Sequence, residues 1–161
     1  MKNLKIQFST LLLLSLFFAI SCTDAGDGEP KSISPELLVK TWAIKENSIR
    51  LGGIPISNIY DIATVPANLR PNWNQVRLVF NVDGTFNVQN VNLLGIPPSG
   101  TWVISGVNNN EITINPGNVV MEISNLSSSK FDVEYTINTA GTDFENLGAT
   151  VVVSAEMEAV D

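Results

Sequence analysis

From Val76 onward the chain alternates between apolar and polar positions with a period of two, the signature of half-buried strands. Val76, Leu78, Phe80 and Val82 share one parity against Arg77, Val79 and Asn81; after Asp83-Gly84, Phe86 and Val88 alternate with Thr85, Asn87 and Gln89. Asp-Gly between two alternating runs predicts a tight hairpin. Trp102 and Ile104, then Ile112 and Ile114, flank the turn Asn108-Asn109-Asn110, and Pro116-Gly117-Asn118 turns the chain again. Val119 to Ser124 and Lys130 to Asn138 follow, the second placing Phe131, Val133, Tyr135 and Ile137 opposite Asp132, Glu134 and Thr136. The last run, Ala149 to Val160, sets Val151, Val153, Ala155 and Met157 on the side away from Glu156 and Glu158.

The first half is less regular. Ser34-Pro35-Glu36-Leu37-Leu38 offers an N-cap serine and a proline at the first helical position, so one or two helical turns open the domain. Trp42 and Ile44 alternate with Lys45 and Asn47 in a strand from Thr41 that Gly52-Gly53 ends. Ile54 to Asn74 is broken by Pro55, Pro66 and Pro71 yet stays apolar, which suits a long connection packed on the domain, with a helical turn near Asn58 to Ala63. Starts at Thr41, Val76, Thr85, Thr101, Glu111, Val119, Lys130 and Ala149 make eight strands, mostly joined by short connections and therefore antiparallel. Such a meander hides one face of every strand, and closure also removes its edges. The expectation is an all-β, eight-stranded antiparallel meander barrel; a two-sheet β-sandwich has the same parity and is the alternative.

The N-terminus has a different logic. Lys2 and Lys5 precede an apolar run from Phe8 to Ile20, interrupted by Ser9, Thr10 and Ser15. As a helix that run spans roughly 20 Å against a hydrocarbon core of about 30 Å, too short for a permanent span and right for an export signal. Ala19-Ile20-Ser21-Cys22 resembles a lipobox, with Ala19 where leucine is usual. The resemblance implies that residues 1–21 are a lipoprotein signal peptide and that Cys22, the only cysteine, carries the lipid. An unpaired exported cysteine otherwise needs explaining, and two or more acyl chains such as palmitate anchor a protein stably. Thr23-Asp24-Ala25-Gly26-Asp27-Gly28-Glu29 has no apolar period, so residues 22–34 read as a flexible tether and 35–161 as one β domain. Thr23 after the cysteine fits outer-membrane sorting, and the acidic stretch fits surface display as well as it fits a plain tether.

Charge and residue inventory narrow the chemistry. Without residues 1–21 the chain has seven Lys and Arg against sixteen Asp and Glu, a formal charge of −9. That disfavours nucleic acid and electrostatic docking on an anionic bilayer, leaving the lipid as the membrane attachment. There is no histidine, and the single cysteine permits no disulfide within the chain. Histidine-dependent nucleophilic sites and a nitrogen or sulfur ligand set for zinc are thereby removed. Asp132 with Glu134, and Glu156 with Glu158, sit opposite an apolar parity and read as solvated wall; Asn81, Asp83 and Gly84 read as a hairpin turn more simply than as part of a calcium loop. No catalytic, cofactor or metal residue is expected, and no enzyme.

At this level the chain resembles the lipocalin-like domains of Gram-negative envelope lipoproteins. The resemblance lies in Leu37-Leu38-Val39-Lys40-Thr41-Trp42, the Phe80-Asn81-Val82-Asp83-Gly84-Thr85-Phe86 hairpin and Gly100-Thr101-Trp102-Val103-Ile104, over roughly Pro35 to Val160. It implies a barrel whose floor is closed by Trp42; Lys40 stands where that family has glycine, and no arginine follows Arg77 to cover the tryptophan. Trp42 and Trp102 are expected in the core. Trp73, between Asn72 and Asn74, is expected exposed, and with Tyr60 forms the candidate ligand-binding pair. Two roles follow: an outer-membrane, lipid-anchored module whose barrel binds a small apolar ligand, or a non-enzymatic subunit that docks an envelope protein or glycan through the 54–74 loop.

Overall fold

The computed structural model describes residues 32–62, 66–90, 93–140, 144 and 147–160. The expected signal peptide, Cys22 and most of the expected tether lie outside the described residues. A single helical turn, α1 (Pro35–Leu38), leads into β1 (Thr41–Ile44), β2 (Arg50–Leu51), β3 (Ile54–Pro55) and α2 (Ile56–Ile62). Two 3-10 turns, Ala67–Leu69 and Trp73–Gln75, then reach β4 (Arg77–Phe80), β5 (Thr85–Gln89), β6 (Ser99–Ser105), β7 (Glu111–Asn115), β8 (Val119–Ser124), β9 (Lys130–Asn138) and β10 (Thr150–Ala159).

β1 and β4 to β10 form a closed, eight-stranded, all-antiparallel meander barrel. Closure comes from β10 pairing with β1, in register Trp42 with Ala159 and Ile44 with Met157. The sandwich alternative is thus excluded. The strand expected to run on from Thr41 is interrupted: β1 ends at Ile44, Asn47 turns the chain at φ 59, and β2 resumes on the same partner with Leu51 opposite Val153.

The expected inward parity is the buried one. Across β7, β8, β9, β10 and β2, Ile112, Met121, Tyr135, Val153 and Leu51 stand side by side and all are buried. Trp42, Phe80, Phe86, Phe131, Leu78, Ile112, Ile114, Met121 and Met157 are each under 2% exposed or at most at that level. Side chains so enclosed border no void wide enough for water, so the barrel centre is a packed core. Val82 departs from its expected parity because it lies past the last ladder pair of β4 and β5, at the hairpin tip, where it is 89% exposed.

The barrel has two unlike ends. At the lower end lie Ile33, α1, the turns at 81–84, 106–110 and 125–129, and the end of β10. Trp42 closes this floor: its Nε1 donates to the Leu38 carbonyl at 2.8 Å, and its ring meets Phe131 edge-on at 4.7 Å. The cation over it is local, with Lys40 Nζ 5.4 Å from the ring centroid and donating to the Ser128 carbonyl at 2.8 Å. Lys40 therefore covers the tryptophan itself. At the upper end, Leu93 and Ile96 are buried, and Gly95 (φ +70) lies so close to Ile137 that a Cβ would collide with it. The 93–96 segment thus packs into the barrel mouth.

Among buried side-chain polar atoms of the described residues, the Tyr135 hydroxyl is without a hydrogen-bond partner, and burial pushes its pKa up. An unpaired buried hydroxyl costs desolvation that a phenyl ring avoids. Tyr135→Phe is therefore expected to leave the fold intact and raise unfolding stability by up to about 1 kcal/mol in urea titration; a loss of more than that would mean the hydroxyl has a partner in solution.

Candidate functional site

The interruption of β1 determines where a recess forms. β4 pairs with β1 only as far as Arg77 opposite Ala43, while β2 and β3 fold as a small hairpin on β10 beyond that point. The sheet splays there, and α2 with the 70–74 segment covers the gap. Ile56, Ile59 and Tyr60 are buried on α2, the last two three and four positions after the first, so that they share one stripe facing the barrel.

Between the end of β1, the 45–49 segment, α2 and residues 70–74 is a recess of about 220 Å³. Ile44, Ile49 and Ile56 contribute apolar surface, Tyr60 and Trp73 the aromatic surface, and Lys45, Asn47, Arg70, Asn72 and Asn74 the polar border. The two candidates Tyr60 and Trp73 are joined directly, Trp73 Nε1 donating to the Tyr60 hydroxyl at 3.2 Å. Trp73 is not exposed as expected: it is 7% accessible, against 5% for Tyr60, because the Trp73–Gln75 turn folds its ring under the loop. Tyr60 also packs on Phe144 at 6.0 Å between centroids, and Arg70 lies over its ring at 5.8 Å. The pair is therefore a braced aromatic wall presenting limited edges to the recess.

Each cation at the border has an acid. Arg70 Nη2 is 2.8 Å from Asp61 Oδ1. Lys45 Nζ is 2.7 Å from Glu156 Oε1 and 3.8 Å from Glu158 Oε1. The hydrogen bond to Glu156 raises the Lys45 pKa, and the same bond holds the Glu156 carboxyl below its ordinary value. Sequence parity had no means of finding Lys45, Asn47 or Arg70 as neighbours, since the contact joins segments more than twenty residues apart through an irregular loop.

Elsewhere the polar groups have structural roles. Asp83 Oδ1 accepts from the Thr85 amide at 2.9 Å and the Thr85 hydroxyl at 2.6 Å, and these bonds lower its pKa. Its carboxylate is thus taken up by the turn. Asp132, Glu134, Glu156 and Glu158 lie on the outer wall, where Asp132, Glu134 and Glu156 border an open groove of about 450 Å³ with Lys45 and Arg50. Among the described residues no group of three or more acidic, histidine or cysteine side chains is placed to hold a metal ion, and no helix is long and apolar enough to cross a membrane.

No protein-family model, curated protein or solved structure matches the chain. The geometry around Lys45 yields a pH test. Because the folded Glu156 pKa lies below its unfolded value, the pair stabilises the fold above the unfolded pKa, and that contribution is lost as pH falls through the folded one. Carboxyl-carbon NMR titration is expected to place the Glu156 midpoint below the ordinary glutamate value, and Lys45→Met to move it upward; an unchanged midpoint would remove the pair from solution.

Proposed function

We propose that this protein is a lipocalin-like envelope lipoprotein, held at the outer membrane by a lipid on Cys22, that binds a small, largely apolar ligand without catalysis. The supporting observation is the recess of about 220 Å³ at the splayed seam, where Tyr60 and Trp73 share a hydrogen bond above apolar surface from Ile44, Ile49 and Ile56. Concave apolar surface with a few convergent polar groups is the usual form of a ligand site. The packed centre of the barrel moves that reading away from a central chamber and toward the flank. A recess of this size suits a small ligand or the end of a longer one. Lys45, Arg70 and the asparagine amides supply donors for a carbonyl or carboxylate at its border.

The packed core also favours a second reading, in which the barrel is a rigid interaction subunit that engages an envelope protein or a glycan through residues 54–74. One set of preparations separates the two. Native mass spectrometry of detergent-extracted protein is expected to reveal a co-purifying small molecule, with Trp73→Ala reducing its occupancy at least about tenfold, equivalent to roughly 1.4 kcal/mol. A stoichiometric protein in a membrane pull-down, with no small molecule, would transfer the assignment to the interaction subunit. Labelled palmitate is expected in the native protein and not in Cys22→Ala, which should no longer sediment with membranes.

A further inference from the structure

We propose that the lower end of the barrel rests on the lipid surface, with Val82 and Val107 entering the headgroup zone and the Tyr60–Trp73 recess facing away from the membrane. The proposal rests on the anchor at Cys22 proposed above. Two observations carry it. The first is where the anchored segment joins the domain: the described chain begins at Ser32, and the Ile33 amide donates to the Asn109 carbonyl at 2.7 Å, beside the turn that holds Val107. Cys22 lies ten residues before Ser32. Ten residues reach at most about 35 Å whatever their conformation, so the lower rim, where the chain enters the domain, is the part held nearest the lipid.

The second observation is apolar exposure on that same rim. Val82, at 89%, and Val107, fully exposed, are the most accessible large hydrophobic side chains among the described residues. Both sit at turn tips, in Asn81-Val82-Asp83-Gly84 and Gly106-Val107-Asn108-Asn109, where all the neighbours are polar or glycine. Their strands are adjacent, β5 pairing with β6, and the Trp102 amide donates to the Gly84 carbonyl. Valine is not among the residues that favour turns, so turn formation does not account for either side chain. Val160, the residue after β10, lies at the same rim and is 37% exposed. The rim offers phosphate no electrostatic attraction: Lys40 and Lys130 stand among Glu36, Asp83 and Glu111, with Asp132 and Glu158 close by, so contact with the lipid falls to the two valines and the anchor. The half-exposed Val103, Val120 and Val152, in contrast, lie on the outer wall of the strands. Two valines attach nothing alone, but an anchored domain meets the bilayer at high effective concentration, so a small insertion preference suffices to orient it.

The test uses the full-length acylated protein, whose own cysteine is consumed by the lipid. Val82→Cys, Val107→Cys and, at the upper end, Asn58→Cys are each labelled with a nitrobenzoxadiazole fluorophore and reconstituted in phosphatidylethanolamine and phosphatidylglycerol vesicles. Labels at 82 and 107 are expected to shift to shorter wavelength and to be quenched by doxyl lipids, while the label at 58 stays water-like. Palmitate uptake and vesicle sedimentation with all three labels equally water-like would overturn the orientation and leave the anchor standing. Absence of palmitate would overturn the anchor, and this orientation with it.

Discussion

The barrel depends on a short seam. Three register pairs, Trp42 with Ala159, Ala43 with Glu158 and Ile44 with Met157, join the first strand to the last and turn an open meander into a closed one. Without them, β1 and β10 would each present unpaired amides and carbonyls, and Trp42 would lose the enclosure that makes it the floor. The seam is reinforced from below. Leu38 accepts the Trp42 indole proton, Phe131 packs edge-on to the ring, and Lys40 covers it. The closing strand and the floor are therefore one structural unit, contributed by the first turn of the domain and by the strands that flank its end.

What the seam does not cover becomes the candidate site. Beyond Ile44 the first strand leaves the ladder, and α2 and the 70–74 segment must fill the space that a longer β1 would have occupied. The filling is mostly apolar but imperfect, and the remaining recess collects the aromatic pair and two compensated cations. A site at a break in a sheet combines a rigid floor with an irregular rim, which is how scaffolds generally carry binding surfaces. The packed centre gives the opposite property: rows such as Ile112, Met121, Tyr135 and Val153 fix the strands to one another and supply stiffness to both ends.

Both ends of the described chain emerge at the same, closed end of this barrel. Ile33 enters beside Asn109 and Val160 leaves beside Thr41, whose carbonyl accepts its amide at 2.9 Å. An even number of antiparallel strands makes that unavoidable. The irregular loops, in consequence, gather at the other end. Any attachment through the N-terminus therefore places the recess on the far side of the domain from the point of attachment.

Alternation was enough to define the strands from β4 to β10 almost to the residue, because each has one face in the core and one in water, and a period-two pattern is the direct record of that condition. Asp83-Gly84 and Pro116-Gly117-Asn118 marked turns because their backbone demands are local. Closure was not local. Parity is identical in a barrel and a sandwich, and only the tertiary register of Trp42 against Ala159 distinguishes them. The same limit applied to Trp73: asparagines on either side suggested exposure, yet the ring is buried against Tyr60, thirteen positions away, because burial there depends on how a loop folds back across the splayed seam. The sequence determined what each segment must hide; the three-dimensional arrangement decided what it is hidden against, since contacts between distant, irregular segments leave no periodic trace in the chain.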